Sequence, residues 1–459
     1  MTGAMYAAIG GLKSHMSKLN VIGNNIANVN TYAYKAGRMT FKESMYTTSR
    51  SGSNGGATSG GNNPSQIGYG CSVGSVDLNM APSTYAPTGI GLDCMLDGEG
   101  FFLVGDKDGN ILSNSDVKQL NLSRWGSFWQ DPDGYICDRY GQVVYGFATV
   151  QNPDYNPNAT KPEALGDNAT QEEKKDYEEK MAAYTLSQQK TIVSTQLVPL
   201  RLPLSAAEPT KENGGIIEVT TGTGADQTTT ESAQWEVGEP VYPYMKETVV
   251  DGKTYWTNEY TAYTDKATVP DPDDADPDDP KEGSLGLGNS MAVPGQNTDV
   301  NRVSNELFCQ LKKLGVEKNG AITGIAANGD TVVIGYVAVA NVDSSDGVTH
   351  VDGPYYKAMG GAGAVRVSAL GGVLEGKYLG NQVVTPPAAD GTGGSTPDPA
   401  DAIVNEKDVE VRNGGLEASS TDVATEFSEM ITTQRGYQAN TRIITVTDSM
   451  LEELVNMKR

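Results

Sequence analysis

In this chain of 459 residues, the side chains best suited to nucleophilic or metal chemistry are two histidines, His15 and His350, and four cysteines, Cys71, Cys94, Cys137 and Cys309. Neither histidine has a Ser, Cys or metal-ligand companion at a recognisable spacing, so no triad or zinc set can be assembled from them. The cysteines are widely spaced and form no CxxC pair, which reads as small buried hydrophobes. Carboxylates are abundant, and a glycosidase-like pair stays open on that ground alone. The tract GGAGAV at 360–365 follows no strand–turn–helix pattern and does not read as a nucleotide loop. No catalytic, cofactor-binding or metal-binding residue is therefore expected.

What stands out instead is a crowd of amides. The stretch NNIANVNTYAYK places Asn24, Asn25, Asn28 and Asn30 at the end of a helical pattern, although one such residue is enough to stop a helix. Near the other end, QRGYQAN presents Gln434, Arg435, Gln438 and Asn440 within two turns. An amide both donates and accepts, so it can bind the free carbonyls of a helix end and reach neighbouring backbone. Amides facing amides would pin the register of two helices. The spacing leaves open the alternative that both sets face solvent.

The elements that carry these amides are amphipathic. Met5, Ile9, Leu12, Met16, Leu19, Ile22 and Ile26 recur at steps of three and four, the seam of a coiled-coil-like helix. About 25 residues at 1.5 Å each predict a rod roughly 37 Å long. In the last forty or so residues, Ser419 or Ser420 is the expected N-cap, with Asp422 in the first turn. Val423, Phe427, Met430, Tyr437, Ile443, Val446, Met450, Leu454 and Met457 then form a broad stripe, closed by Lys458 and Arg459. Neither helix is stable alone in water. Each could cover the other within one chain, or both could pack against further copies.

Charge excludes some partners. Thirty-four basic against 58 acidic residues give a net charge of −24, which disfavours nucleic acid and anionic lipid. No segment approaches the roughly 18 apolar residues of a membrane span, so no membrane insertion is expected. The N-terminus lacks the pattern of a cleaved signal peptide.

Between the ends the grammar is that of strands and turns. DKDGN at Asp108-Gly109, DPDGY at Asp133-Gly134 and RYGQ at Gly141 separate apolar runs, and Asn319-Gly320 and Asn328-Gly329 mark two further hairpins. Residues 170–189 read as an exposed charged helix, and VVDGKTYWTNEYTAY as a hairpin carrying Tyr255, Trp256 and Tyr260. The Asp/Pro tract at 265–283 alternates carboxylates but lacks the glycine and distal glutamate of a calcium loop, so it reads as a solvated linker. A second tract at 386–402 reads as a surface loop.

Five blocks of the chain carry a family resemblance. GLKSHMSKLNVIGNNIANVNTYAYK resembles the N-terminal signature of bacterial flagellar rod and hook proteins, and GGLEASSTDVATEFSEMITTQRGYQANTRIITVTDSMLEELVNMKR the C-terminal one. Between them GYGCSVGSV, LDGEGFFLV and LSRWGSFWQDPDGYICDRYGQVVYGF are similar to the family's strand blocks, in the same order. Ala33 stands where the family usually has glycine, and Ser419-Ser420-Thr421-Asp422 replaces a Ser-Asn-Val-Asp run.

The resemblance implies an α+β architecture in which the terminal helices pair as a coiled-coil-like inner domain and the discontinuous middle builds two mainly antiparallel β domains. The expected boundaries are an inner-core helix at 1–30, a connecting region at 31–64, an inner β domain at 65–147 and 300–370, an inserted outer β domain at 148–299, a surface loop at 371–412 and the second inner-core helix at 413–459. The implied function is that of a structural subunit of the flagellar hook, polymerising helically into a flexible tube that transmits torque. A distal rod subunit and a secreted adhesin or glycan-binding protein are the alternatives. The implied partners are other copies of the chain, the rod, hook-cap and hook–filament junction proteins, and the type III export apparatus, with an extracellular location. The expected assembly residues are the mostly apolar Leu12, Leu19, Ile22, Ile26, Phe427, Tyr437 and Leu454, and the polar Asn24, Asn25, Asn28, Tyr34, Gln434, Arg435, Gln438 and Asn440.

Overall fold

The computed structural model describes residues 2–52, 60–107, 117, 119–152, 156, 159–162, 171–206, 208–209, 216–221, 228–233, 235–243, 245–250, 253–258, 303–363, 365–370, 404–406 and 409–457. The Asp/Pro tracts, the Asp108-Gly109 turn, Tyr260, Lys458 and Arg459 lie outside them. The chain divides into two units, Met1–Thr84 with Ala418–Arg459, and Tyr85–Glu417.

The first unit holds helix α1 (Thr2–Ala27), strands β1 (Gly37–Glu43), β2 (Tyr46–Arg50), β3 (Ser65–Gly68) and β4 (Cys71–Leu78), and a long helix at Val423–Met457. Strand β1 pairs antiparallel with β4, Gly37 opposite Leu78, and β2 pairs antiparallel with β3. This corrects two expected boundaries. Residues 31–64 are not a plain connection, and 65–84 do not open the inner β domain. The turn grammar that marked 65–84 is local, whereas the strands Ser65–Gly68 and Cys71–Leu78 pair with 37–50 of the helical unit.

The second unit is built on a thirteen-stranded sheet, antiparallel except for the pairing of Val365–Leu370 with Val404–Glu406. Its centre is the long strand Thr331–Val342 beside Val143–Gln151 and Phe101–Gly105. Strands of this length buried on both faces need apolar residues at nearly every position, and VVYGFATV and VVIGYVAVA supply them. Phe102 meets Phe128 edge to face with ring centroids 5.2 Å apart. The two Asn-Gly turns join Lys312–Val316, Ala321–Ile325 and Thr331–Val342, with Gly320 and Gly329 at φ 77° and 93°, a conformation glycine adopts without steric cost.

The expected insert is not separable at 148. Strand Val143–Gln151 runs through that point and Thr191–Pro199 pairs beside it, Val150 opposite Ile192. At the other end Val303–Phe308 pairs with Leu204–Ala206 in a small sheet, and the main sheet resumes at Lys312. Helix α2 (Gln171–Ser187) is charged, with Asp176 and Lys180 paired at 2.7 Å one turn apart. The hairpin Met245–Val250/Lys253–Asn258 sets Tyr255 opposite Thr248 and Trp256 opposite Glu247. Residues 410–417 are strands of this unit, paired with Cys94–Asp97 and Tyr85–Pro87, so the last helix begins at Val423 rather than 413.

One ion pair is sealed inside this unit. The Arg124 guanidinium donates to both Glu417 oxygens, Nε at 3.1 Å, and its Nη1 donates to the carbonyls of Gly98 and Gly100 at 2.9 and 2.7 Å. Both residues are 2% exposed.

Candidate assembly interface

Helix α1 and the C-terminal helix, α3 (Val423–Met457), pack side by side in opposite directions. Four meetings fix the register. A Cβ on Gly11 would lie 2.8 Å from Asn440 Nδ2, and one on Gly436 would lie 2.7 Å from the His15 ring. Lys18 Nζ is 2.9 Å from Glu429, and Asn25 Nδ2 donates to Glu426 at 2.8 Å.

The face of α1 that is buried differs from the one expected. It runs through Ala8, Gly11, Ser14, Ile22 and Asn25. Of the apolar seam only Ile22 is on it. Leu12, Leu19 and Ile26 are half-buried and Met16 is exposed. A glycine inside a helix costs about 1 kcal/mol relative to alanine, so the pair Gly10-Gly11 needs a reason. Close approach is that reason: a Cβ on Gly10 would lie 3.0 Å from the Cys71 carbonyl oxygen, and one on Gly11 would meet Asn440. The helices meet through small and polar residues, and their larger side chains point elsewhere.

On α3 the consequence is a long uncovered stripe. Thr433 and Thr447 are its only buried residues among those described. Phe427, Ile431, Ile443, Leu451, Leu454 and Val455 are exposed, as are Val446 at 56%, Met450 at 53% and Met457 at 76%. Ile443, Val446, Met450, Leu454 and Met457 follow at steps of three and four, which puts them on one face. Gln434, Arg435 and Gln438 are exposed, while Tyr437 and Asn440 are half-buried.

The asparagines act within the chain. Asn25, 1% exposed, uses its whole amide: Nδ2 donates to the Gly37 carbonyl at 2.9 Å and to Glu426, while Oδ1 accepts from Gly37 N–H and the Tyr34 hydroxyl, both at 3.0 Å. It therefore ties the end of α1, the start of β1 and the first turn of α3 together. Exposed Asn24 donates to the Tyr34 hydroxyl at 2.9 Å, and half-buried Asn28 donates back to the Asn24 carbonyl at 2.9 Å, capping the helix. Asn25 does not face Gln438, because the register sets it against Glu426 and leaves Gln438 about three turns away. Burial pushes the Glu426 carboxyl up from its ordinary range, and burial followed by Glu426 pushes up the Tyr34 hydroxyl.

The cap of α3 is also corrected. Asp422 Oδ1 accepts from Ala424 N–H at 3.0 Å and Oδ2 from the Thr425 hydroxyl at 2.6 Å, which lowers its pKa. Ser420 is unavailable because its hydroxyl accepts from Ala36 N–H at 2.8 Å. Ala33 has φ 59°, the left-handed conformation that glycine takes at little cost.

His350 is exposed against Tyr356, with ring centroids 5.1 Å apart. All four cysteines are free thiols, and burial pushes Cys137 up to about 12 and raises Cys94 and Cys309. Among the described residues no three His, Cys, Asp or Glu side chains could hold a metal ion. No described helix is long and apolar enough to cross a membrane.

Comparison with known proteins places both ends of the chain. Residues 5–35 match the family model "Flagella basal body rod protein", and 412–457 match "Flagellar basal body rod FlgEFG protein C-terminal". The flagellar hook protein FlgE of Borreliella burgdorferi is 23% identical over 516 aligned positions, all of both chains, and that of Salmonella typhimurium is 24% identical over 98% of this chain and 99% of its own. The flagellar basal-body rod protein FlgG of Bacillus subtilis is 38% identical over 155 residues, 33% of this chain, which spans about 55% of that protein's length. The crystal structure of Helicobacter pylori flagellar hook protein FlgE2 aligns with 72% of this chain and 100% of its own at 13% identity, with a TM-score of 0.27, too low to carry a fold argument. With its two ends matching the family models and its full length aligning with FlgE proteins, the chain is similar to flagellar hook proteins from end to end.

Proposed function

We propose that this chain is the structural subunit of the bacterial flagellar hook, polymerising helically into a flexible tube that carries torque from rod to filament. The observation behind this reading is the apolar face of α3, which one chain leaves wet over more than half its length. Fully burying a valine or methionine side chain is worth about 1.5–3 kcal/mol, and a row of five such positions supplies a lateral contact repeated by every copy. The terminal helices then line the core as a coiled-coil-like layer. Leu12, Leu19, Ile26, Phe427, Tyr437 and Leu454 contribute apolar contact, and exposed Gln434, Arg435 and Gln438 are free to reach neighbouring copies. Asn25 and Tyr34 hold the two helices in position.

The partners that follow from this role are the rod below, the hook cap during growth, the hook–filament junction above, and the type III export apparatus as the route out of the cell. A distal rod subunit is the second reading, favoured by the 38% match to FlgG. The end-to-end alignment with hook proteins favours the first, since the FlgG match covers 33% of the chain. Electron microscopy of cells lacking this chain tests the assignment. Rods without hooks or filaments are expected, and intact motile flagella would refute it.

A further inference from the structure

The chain enters the second unit at Tyr85 and leaves it at Glu417, and the two passages lie side by side. Gly415–Glu417 pairs antiparallel with Tyr85–Pro87, Glu417 opposite Tyr85, and Glu410–Asn413 pairs with Cys94–Asp97. Among the described residues, those two early strands pair with no other strand. Cys94 and Leu96 are nonetheless 0% exposed, so water cannot stand in for a missing partner of their backbone groups. The turns between the strands are tied as well. Thr88 and Gly89 N–H donate to the Gly414 carbonyl at 2.9 and 3.0 Å, Gly414 N–H donates to the Asp93 carbonyl at 2.8 Å, and the Tyr85 hydroxyl donates to the Asn413 carbonyl at 2.7 Å. Val409 and Val411 belong to the main core with Leu96 and Leu370. Glu417 then meets Arg124, which lies 293 residues earlier in the chain.

We propose that residues 409–417 are a closing strap: the strands between Tyr85 and Leu370 do not hold as a folded unit until this segment arrives. Without it Cys94–Asp97 loses its pairing, the core loses two valines, and Arg124 keeps only the Gly98 and Gly100 carbonyls. Carbonyl dipoles accept from a guanidinium but do not neutralise it, and a buried cation without a counter-ion is strongly disfavoured. These losses fall together, because one short segment supplies all of the missing partners. The strap therefore opens only with the whole unit, unlike a peripheral hairpin that frays by itself. It also leads straight into α3, which starts at Val423. On the reading of this chain as a polymer subunit, a chain stopped short of Glu417 has no closed second unit to offer other copies and is kept out of the tube.

The test is native-state amide exchange of the full-length chain in low urea. The amides of Glu410–Glu417 are expected to open at the same free energy as those of Phe101–Gly105 and Thr331–Val342, with protection matching within about threefold and the same dependence on urea. Glu417→Gln keeps the size of the side chain and removes its charge. It should speed exchange in all three segments by one common factor, at least about tenfold. Release of 410–417 at a lower free energy, with the main sheet still protected, would overturn the proposal, as would a Glu417→Gln effect confined to that segment. If Glu417→Gln fails to fold, the wild-type exchange decides alone. Every outcome reads a single chain, so the hook assignment is tested separately.

Discussion

The double variant Val446→Asp/Met450→Asp is expected to remain a folded single chain and to form no tubes. Both positions are more than half exposed, at 56% and 53%, so their replacement costs the isolated chain about 1 kcal/mol or less. In an assembly that buries the stripe, every copy would carry two carboxylates desolvated in an apolar contact, at several kcal/mol each. A penalty of about 4 kcal/mol raises the concentration needed for assembly roughly a thousandfold. Pelleting and electron microscopy measure this directly, with thermal unfolding as the check on folding. Normal tubes from the variant would show that this face is not an intersubunit contact.

Arg124→Met carries the largest expected cost within one chain. The substitution keeps only the unbranched apolar stem of the side chain, takes the guanidinium from a carboxylate that stays buried, and removes the donor to the Gly98 and Gly100 carbonyls. Breaking one partner of a buried pair costs about 3–5 kcal/mol, whereas replacing both by apolar groups is often neutral. Urea unfolding should therefore show a loss of that size for Arg124→Met, and recovery of most of it in Arg124→Met/Glu417→Leu. A loss under about 1 kcal/mol, or a double variant no better than the single, would mean that the pair does not hold Glu417 in place.

Much of this architecture is legible in the residues, and the gaps have physical causes. Helix periodicity marks both terminal helices because a spacing of three and four is a property of one segment. The Asn-Gly turns at 319–320 and 328–329 are equally readable, since their chemistry is local. What periodicity cannot say is which face meets which partner. The spacing points to the apolar seam of α1 as the cover for α3, yet Gly11, His15 and Lys18 make the crossing. The available signal is the cost of Gly10-Gly11 and Gly436 inside helices, a cost that close packing explains. Asn25 is conspicuous in the sequence, but its partners at Gly37 and Glu426 depend on a register set by the whole pair. Ser420 is as good a cap as Asp422 by residue type alone, and only the fold brings Ala36 to its hydroxyl. Strands β3 and β4 fall to the helical unit against expectation, because turn signals mark where a strand ends and not which strand lies beside it.

Methionine oxidation offers the most direct test of whether the face of α3 is covered by other copies. An exposed thioether is readily converted to the sulfoxide, and Met450 and Met457 are 53% and 76% exposed in the single chain. Oxidation rates at these two residues, read by mass spectrometry before and after assembly into tubes, should fall at least about tenfold on assembly. Unchanged rates in well-formed tubes would mean that the face stays in water and that some other surface holds the copies together.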